Sequence, residues 1–232
     1  MAIPRSIAGL RIPGKGANRA RGLVRLIALL LLLVPVIMMA RYGFGFLSGD
    51  VLHAPFHMIR QMAATQPFFS IHAVSAASAL LTGWVQVFPP ARRALPQWHR
   101  RLGYVYVAAC LVGAVTALPV ALHSVGGPLA SAILIGQASL WAGLLWPALV
   151  TARRRRIADH RRWMIRHYAL TCSAIVLRAI MATGVAIGYP LQLVLAIALS
   201  LAAAEAILRR PRPGLQRDRP IIQRPGSSHK AT

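Results

Sequence analysis

Residues 129–187 read LASAILIGQASLWAGLLWPALVTARRRRIADHRRWMIRHYALTCSAIVLRAIMATGVAI, and this stretch decides the fold. Two apolar runs, 129–151 and 164–187, flank an insert with six arginines: Arg153, Arg154, Arg155, Arg156, Arg161 and Arg162. About 20 apolar residues, rising ~1.5 Å each, cross a ~30 Å hydrocarbon core as a helix. The stretch therefore predicts two membrane-crossing helices joined on one strongly basic side.

Four more runs of similar length lie outward from this hairpin, at residues 23–40, 69–88, 102–122 and 191–208. The expected fold is all-α, a polytopic bundle of six transmembrane helices. Residues 1–22 and 209–232 are rich in Arg, Pro and Gly and read as disordered basic cytoplasmic arms. Between them lies one membrane domain, 23–208, with its core at 69–187. The first run also resembles a signal peptide, an alternative weakened by its length and by Pro35 within it.

The basic residues order the connections. Of 27 Lys and Arg, 24 fall in the N-terminal arm, the second and fourth connections and the C-terminal arm, counting Arg25 and Arg166 at the adjoining helix entrances. Only Arg41 and Arg60 fall in the connections between, and Arg178 lies inside the fifth run. By the positive-inside rule this alternation predicts both termini in the cytoplasm, in a bacterial inner membrane. It also accounts for the net charge of +23 as topology information, so no nucleic-acid partner is expected. The partners expected are the lipid bilayer, other membrane proteins or further copies of the chain.

Composition narrows the chemistry. The chain is 56% hydrophobic and 13% charged, with only four acids: Asp50, Asp159, Glu205 and Asp218. Soluble domains carry about 25% charge. Paired-carboxylate catalysis and carboxylate metal cages are therefore nearly excluded. Cys110 and Cys172 sit inside apolar runs without metal-ligand spacing and read as packing residues. Asp159 is placed to cap the start of the fifth helix.

Eight histidines remain as the conspicuous polar groups. His99 and His160 open the third and fifth spans, and His167 lies two turns inside the fifth. His72 and His123 lie toward the opposite, outer side. His53 and His57, in the outer segment, have a metal-like i, i+4 spacing but no third ligand in view. On the fifth span His160, His167, Thr171 and Arg178 share one stripe, which must face the bundle interior because a lipid-facing arginine is costly. Arg178 then needs carbonyls, water, an outward snorkel or a bound anion. Glu205 is a doubtful partner, because helix rise puts the two ~9 Å apart in depth. The second span carries a small, polar face of His72, Ser75, Ala76, Ala79, Gly83 and Gln86, suited to close packing or to a flat ligand.

The spaced motifs His72…Leu81-Thr82-Gly83, His99-Arg100-Arg101-Leu102-Gly103-Tyr104-Val105-Tyr106, His160-Arg161-Arg162-Trp163-Met164-Ile165-Arg166 and Arg178 resemble an uncharacterised family of bacterial multi-pass membrane proteins, a domain of unknown function. The resemblance covers about residues 70–185 and implies a shared role for its His/Arg set. A looser similarity is to membrane b-type cytochromes, which hold haem between histidines of a four-helix bundle. The chain departs from that pattern because its fourth span has no histidine. One haem b at most is implied, between His72 and His123 or between His99 and His167. A core of spans two, three and five that binds haem or quinone, with Arg178 on an anionic or carbonyl oxygen, is one expectation. A non-catalytic assembly factor or partner subunit is a second, and a small-anion or proton-coupled transporter a third.

Overall fold

The computed structural model describes residues 15–46, 56–87 and 96–209. Nine helices occur among them: α1 Lys15–Gly45, α2 Phe56–Thr65, α3 Phe68–Val87, α4 Pro96–Leu122, α5 Gly127–Gly143, α6 Leu145–Arg153, α7 Ile157–Thr171, α8 Ser173–Ala182 and α9 Tyr189–Arg209. No strand occurs among the described residues.

Five of the expected crossings are long and apolar enough to span a bilayer: Phe68–Val87, Gln97–Leu122, Gly127–Arg153, Ile157–Ala182 and Tyr189–Arg209. Helix α1 adds a shorter described apolar stretch, Leu30–Gly45. The fourth crossing is α5 followed by α6, and the fifth is α7 followed by α8. Residues 1–14 and 210–232 of the terminal arms, His53 and His229 lie outside the described residues; residues 15–22, expected to be disordered, instead form the first turns of α1, and Arg209 ends α9. For His57 only the backbone is described.

Helix α3 packs most extensively on α4 and, on its other side, on α1; α9 closes the bundle against α7 and α8. The α3–α4 contact follows from the small-residue face. Ala79 is fully buried, and a Cβ added to Gly83 would lie 2.5 Å from the Tyr168 ring and 2.7 Å from that of Tyr106. Small residues let membrane helices approach where hydrophobic burial supplies no drive between them. The opposite faces expose Leu111, Val115, Leu122, Leu129, Leu191 and Leu199, an apolar exterior that suits lipid.

Interior hydroxyls are satisfied locally. Thr82, Thr116, Thr151 and Ser200 each donate to the carbonyl four residues back, at 2.6–2.7 Å. That is the cheap solution where no water reaches the helix.

Two expectations at the helix ends change. Asp159 does not cap α7. The N-cap position is Arg156, and Asp159 lies within the first turn, where its carboxylate meets Arg156 at 2.7 Å. It still complements the positive helix end. The fourth and fifth crossings are also interrupted, near Leu144 and Cys172, where ψ relaxes to −17° and −8°. Pro147 explains the first interruption, since it has no N–H for the Gly143 carbonyl. At the second, the Leu170 carbonyl receives the Ser173 hydroxyl at 2.7 Å, and Ile175 N–H closes onto Cys172 O at 2.9 Å. These are tighter, three-residue closures than the α ladder.

Candidate functional site

The polar side chains gather at three depths. We call the two ends of the bundle arginine-rich and arginine-poor, after their connections.

At the arginine-poor end, His72 on α3 holds its Nδ1 2.8 Å from the Gly113 carbonyl of α4. Only a protonated Nδ1 can bond to a carbonyl, so the neutral ring carries its free lone pair on Nε2. Arg178 on α8 is within electrostatic reach of His72 and of Tyr189, at the start of α9. Its guanidinium stands 5.6 Å from the Tyr42 ring centroid on α1 and donates to Ala174 O at 3.3 Å. Both described carboxylates are engaged elsewhere, Asp159 with Arg156 and Glu205 with Arg166. Among the described residues, Arg178 therefore has a carbonyl and an aromatic face but no counter-charge. Four helices thus place two phenols and a lone-pair nitrogen within electrostatic reach of one cation. Above them Phe46, Phe69 and Val120 form an apolar plug, with Met62 of α2 packed against it.

In the middle of the bundle lies a sealed network. Tyr106 and His167 are both fully buried, with the phenol oxygen 2.6 Å from Nδ1 of the imidazole. His167 Nε2 faces the Trp141 carbonyl at 2.8 Å and must carry a proton there. Nδ1 of the neutral ring is then the acceptor of the Tyr106 hydroxyl. Trp141 Nε1 donates to Thr171 Oγ1 at 2.9 Å, and Thr171 donates to the His167 carbonyl at 3.0 Å. Every polar atom of this set is used inside the protein.

At the arginine-rich end, Gln86 donates to the His99 carbonyl at 2.7 Å, and His160 Nδ1 bonds the Ala148 carbonyl at 2.9 Å. Arg166 holds Glu205 in a two-point ion pair, Nε to Oε1 at 2.5 Å and Nη2 to Oε2 at 3.3 Å. Trp98 and Trp163 lie beside Arg101 and Arg166 at 5.5 and 5.2 Å from the ring centroids. Both are cation–π contacts at this end of the bundle.

The expected site residues are thus distributed over three levels. His72 and Arg178 come together, His167 lies in the middle, and His99 and His160 lie apart at the other end. His123 is exposed, bonded within its own turn to Pro119 O at 3.0 Å. It lies ten residues beyond Gly113 on α4, or ~15 Å along the helix, so His72 and His123 do not face one another. His167 has both ring nitrogens committed and offers iron no lone pair. Neither histidine pair fits a bis-histidine haem. Among the described residues no group of three or more His, Cys, Asp or Glu is placed to hold a metal ion. Tyr42, Tyr106, Trp141, Tyr189 and the Arg166–Glu205 pair were absent from the sequence-derived set. Their polar tips on otherwise apolar spans were the available signal.

A family model described as "Predicted membrane protein (DUF2306)" matches residues 69–207, more than half of the chain. No curated protein and no solved structure matches.

Proposed function

The chain belongs to this DUF2306 family of predicted membrane proteins, and on that premise we propose that it binds the head group of a membrane-soluble quinone at its arginine-poor end, among α1, α3, α8 and α9. The observation that carries this reading is Arg178, a partly buried guanidinium with no described carboxylate, 5.6 Å from the Tyr42 ring centroid and within electrostatic reach of a histidine whose tautomer is set by Gly113 O. A quinone carbonyl accepts from the guanidinium, and a quinol hydroxyl donates to His72 Nε2. The flat ring suits the faces of Tyr42 and Tyr189. We take the membrane to be the bacterial inner membrane, with the basic connections in the cytoplasm.

The test is to extract lipids from protein purified into nanodiscs, assay them for quinone, and titrate the protein with a short-chain ubiquinone by tryptophan quenching. The expected result is a stoichiometric quinone and saturable binding, weakened about tenfold or more in Arg178→Ala, as for loss of a charge-assisted hydrogen bond. His123→Ala should bind like the wild type. No quinone, with equal quenching in Arg178→Ala and wild type, would overturn the reading.

One observation favours a second reading, a carrier of small anions. The turns at Leu144 and Cys172 are a slight form of the breaks that line transporter sites near the midplane, since α-type bonds still cross them, from Leu144 N to Leu140 O at 3.0 Å and from Cys172 N to Tyr168 O at 2.9 Å. Anion uptake into proteoliposomes that is lost in Arg178→Ala would support that reading over the first.

A further inference from the structure

The interruption at Cys172 is bracketed from a neighbouring helix. Gln137 and Trp141 are four residues apart on α5 and so project from one face. Gln137 Nε2 donates to Ser173 Oγ at 2.8 Å, just beyond the interruption. Trp141 Nε1 donates to Thr171 Oγ1 at 2.9 Å, just before it. Each hydroxyl passes its own proton to a carbonyl of the preceding turn, Ser173 to Leu170 O and Thr171 to His167 O. The α5 donors therefore act on the two residues whose side chains bond back to the ladder on either side of the break.

Arg178 lies on α8 six residues past Cys172, or ~9 Å along the helix, and the far end of α8 lies ~15 Å away. A tilt of about 10° at the interruption would move that end by about 2.5 Å, and Arg178 by more than half as much. Trp141 also reaches the other half of the candidate site. A Cβ added to Gly113 would lie 2.9 Å from Trp141 Cζ3, so the indole packs on the residue whose carbonyl orients His72.

We propose that Gln137 and Trp141 are positioning residues that clamp the α7–α8 interruption and so set where Arg178 stands relative to His72. The clamp is independent of any ligand; its consequence for binding rests on the quinone reading above.

The experiment places spin labels on keto amino acids introduced at positions 122 and 182, leaving both native cysteines in place, and measures their separation by pulsed electron resonance in nanodiscs without ligand. Both positions are exposed. Gln137→Met keeps bulk and removes the donor, and Ser173→Ala removes the acceptor; Trp141→Phe removes the indole N–H together with the Cζ3 and Cη2 atoms that lie nearest Gly113, so it tests both contacts of Trp141 at once. Single interhelical hydrogen bonds in membranes are weak, so these variants should remain folded. Gln192→Met is the control: its amide bonds Ile187 O at 3.0 Å, away from the interruption.

A shift or broadening of about 2 Å or more in all three variants, absent from Gln192→Met, is the expected result. The Gln137→Met/Ser173→Ala double variant should be no worse than either single. Wild-type separations in the three variants would overturn the clamp. Short-chain ubiquinone titrations on the same samples should show about tenfold weaker binding wherever the separation changes, since small misplacements weaken oriented contacts steeply. Changed separations with no quinone binding in the wild type would sustain the clamp and overturn the quinone reading.

Discussion

The phenol of Tyr106 on α4 donates to Nδ1 of His167 on α7 across 2.6 Å, with both side chains fully buried. The bond joins two crossings that are 61 residues apart in sequence, and His167 Nε2 extends it to the Trp141 carbonyl on α5. Three helices are thereby registered at one depth. Tyr106→Phe would leave Nδ1 buried without a donor. The expected loss is about 1–2 kcal/mol of stability, because an unsatisfied buried acceptor forfeits its desolvation cost. Thermal unfolding in detergent should show a lower Tm, and an unchanged Tm would mean that water or Thr171 replaces the phenol.

Arg166 and Glu205 pair at the arginine-rich end, with about a third of each side chain exposed (30% and 39%). Exposed ion pairs contribute little. Glu205→Gln should therefore lower Tm less than Tyr106→Phe does, and the small effect should fade further in high salt. A larger loss than in Tyr106→Phe would show that the pair closes α9 onto α7 with a strength its exposure does not suggest.

Five of the six expected spans and the basic connections were legible because length, hydropathy and arginine placement are local properties. Depth was legible in part: the helix rise argues against Glu205 as a partner for Arg178, and Glu205 pairs instead with Arg166, a partner the sequence reading did not name. The Tyr106–His167 bond was not legible, because a tyrosine on an apolar helix declares neither its facing nor its partner. The expected histidine pairs rested on depth alone, and depth cannot say that His167 has both nitrogens committed to Tyr106 and Trp141. The interruption at Cys172 also escaped notice, since neither Pro nor Gly marks it and its visible traces are the back-bonded hydroxyls of Thr171 and Ser173.

Glycines of the spans should divide sharply by position. A Cβ at Gly83 would fall 2.5 Å from the Tyr168 ring, and one at Gly113 2.9 Å from Trp141, whereas one at Gly136 would meet nothing within 4 Å. Gly83→Ala and Gly113→Ala should each cost about 1–3 kcal/mol through overpacking. Gly136→Ala should be neutral or slightly stabilising, since alanine is the better helix former. Guanidinium unfolding of the three variants in one detergent is the comparison, and equal midpoints would contradict the packing described for α3 on α4.

The orientation follows from the arginines and can be tested without the structure. Residues 153–156 carry four consecutive arginines between α6 and α7, while the turn at residues 123–126 between α4 and α5 carries none. Basic residues near span ends resist translocation, so the first connection should be cytoplasmic and the second periplasmic. Alkaline phosphatase fused after residue 125 should be active, and fused after residue 156 inactive; green fluorescent protein should give the reverse. Changing Arg153, Arg154, Arg155 and Arg156 to Gln should weaken that contrast without abolishing it, because the fusion after residue 156 still carries the basic N-terminal segment and Arg92, Arg93, Arg100 and Arg101, which orient the preceding spans. High phosphatase activity at both junctions would mean that the crossing between them does not insert, and would remove the pairing of α5 with α7 on which the Trp141–Thr171 bond depends.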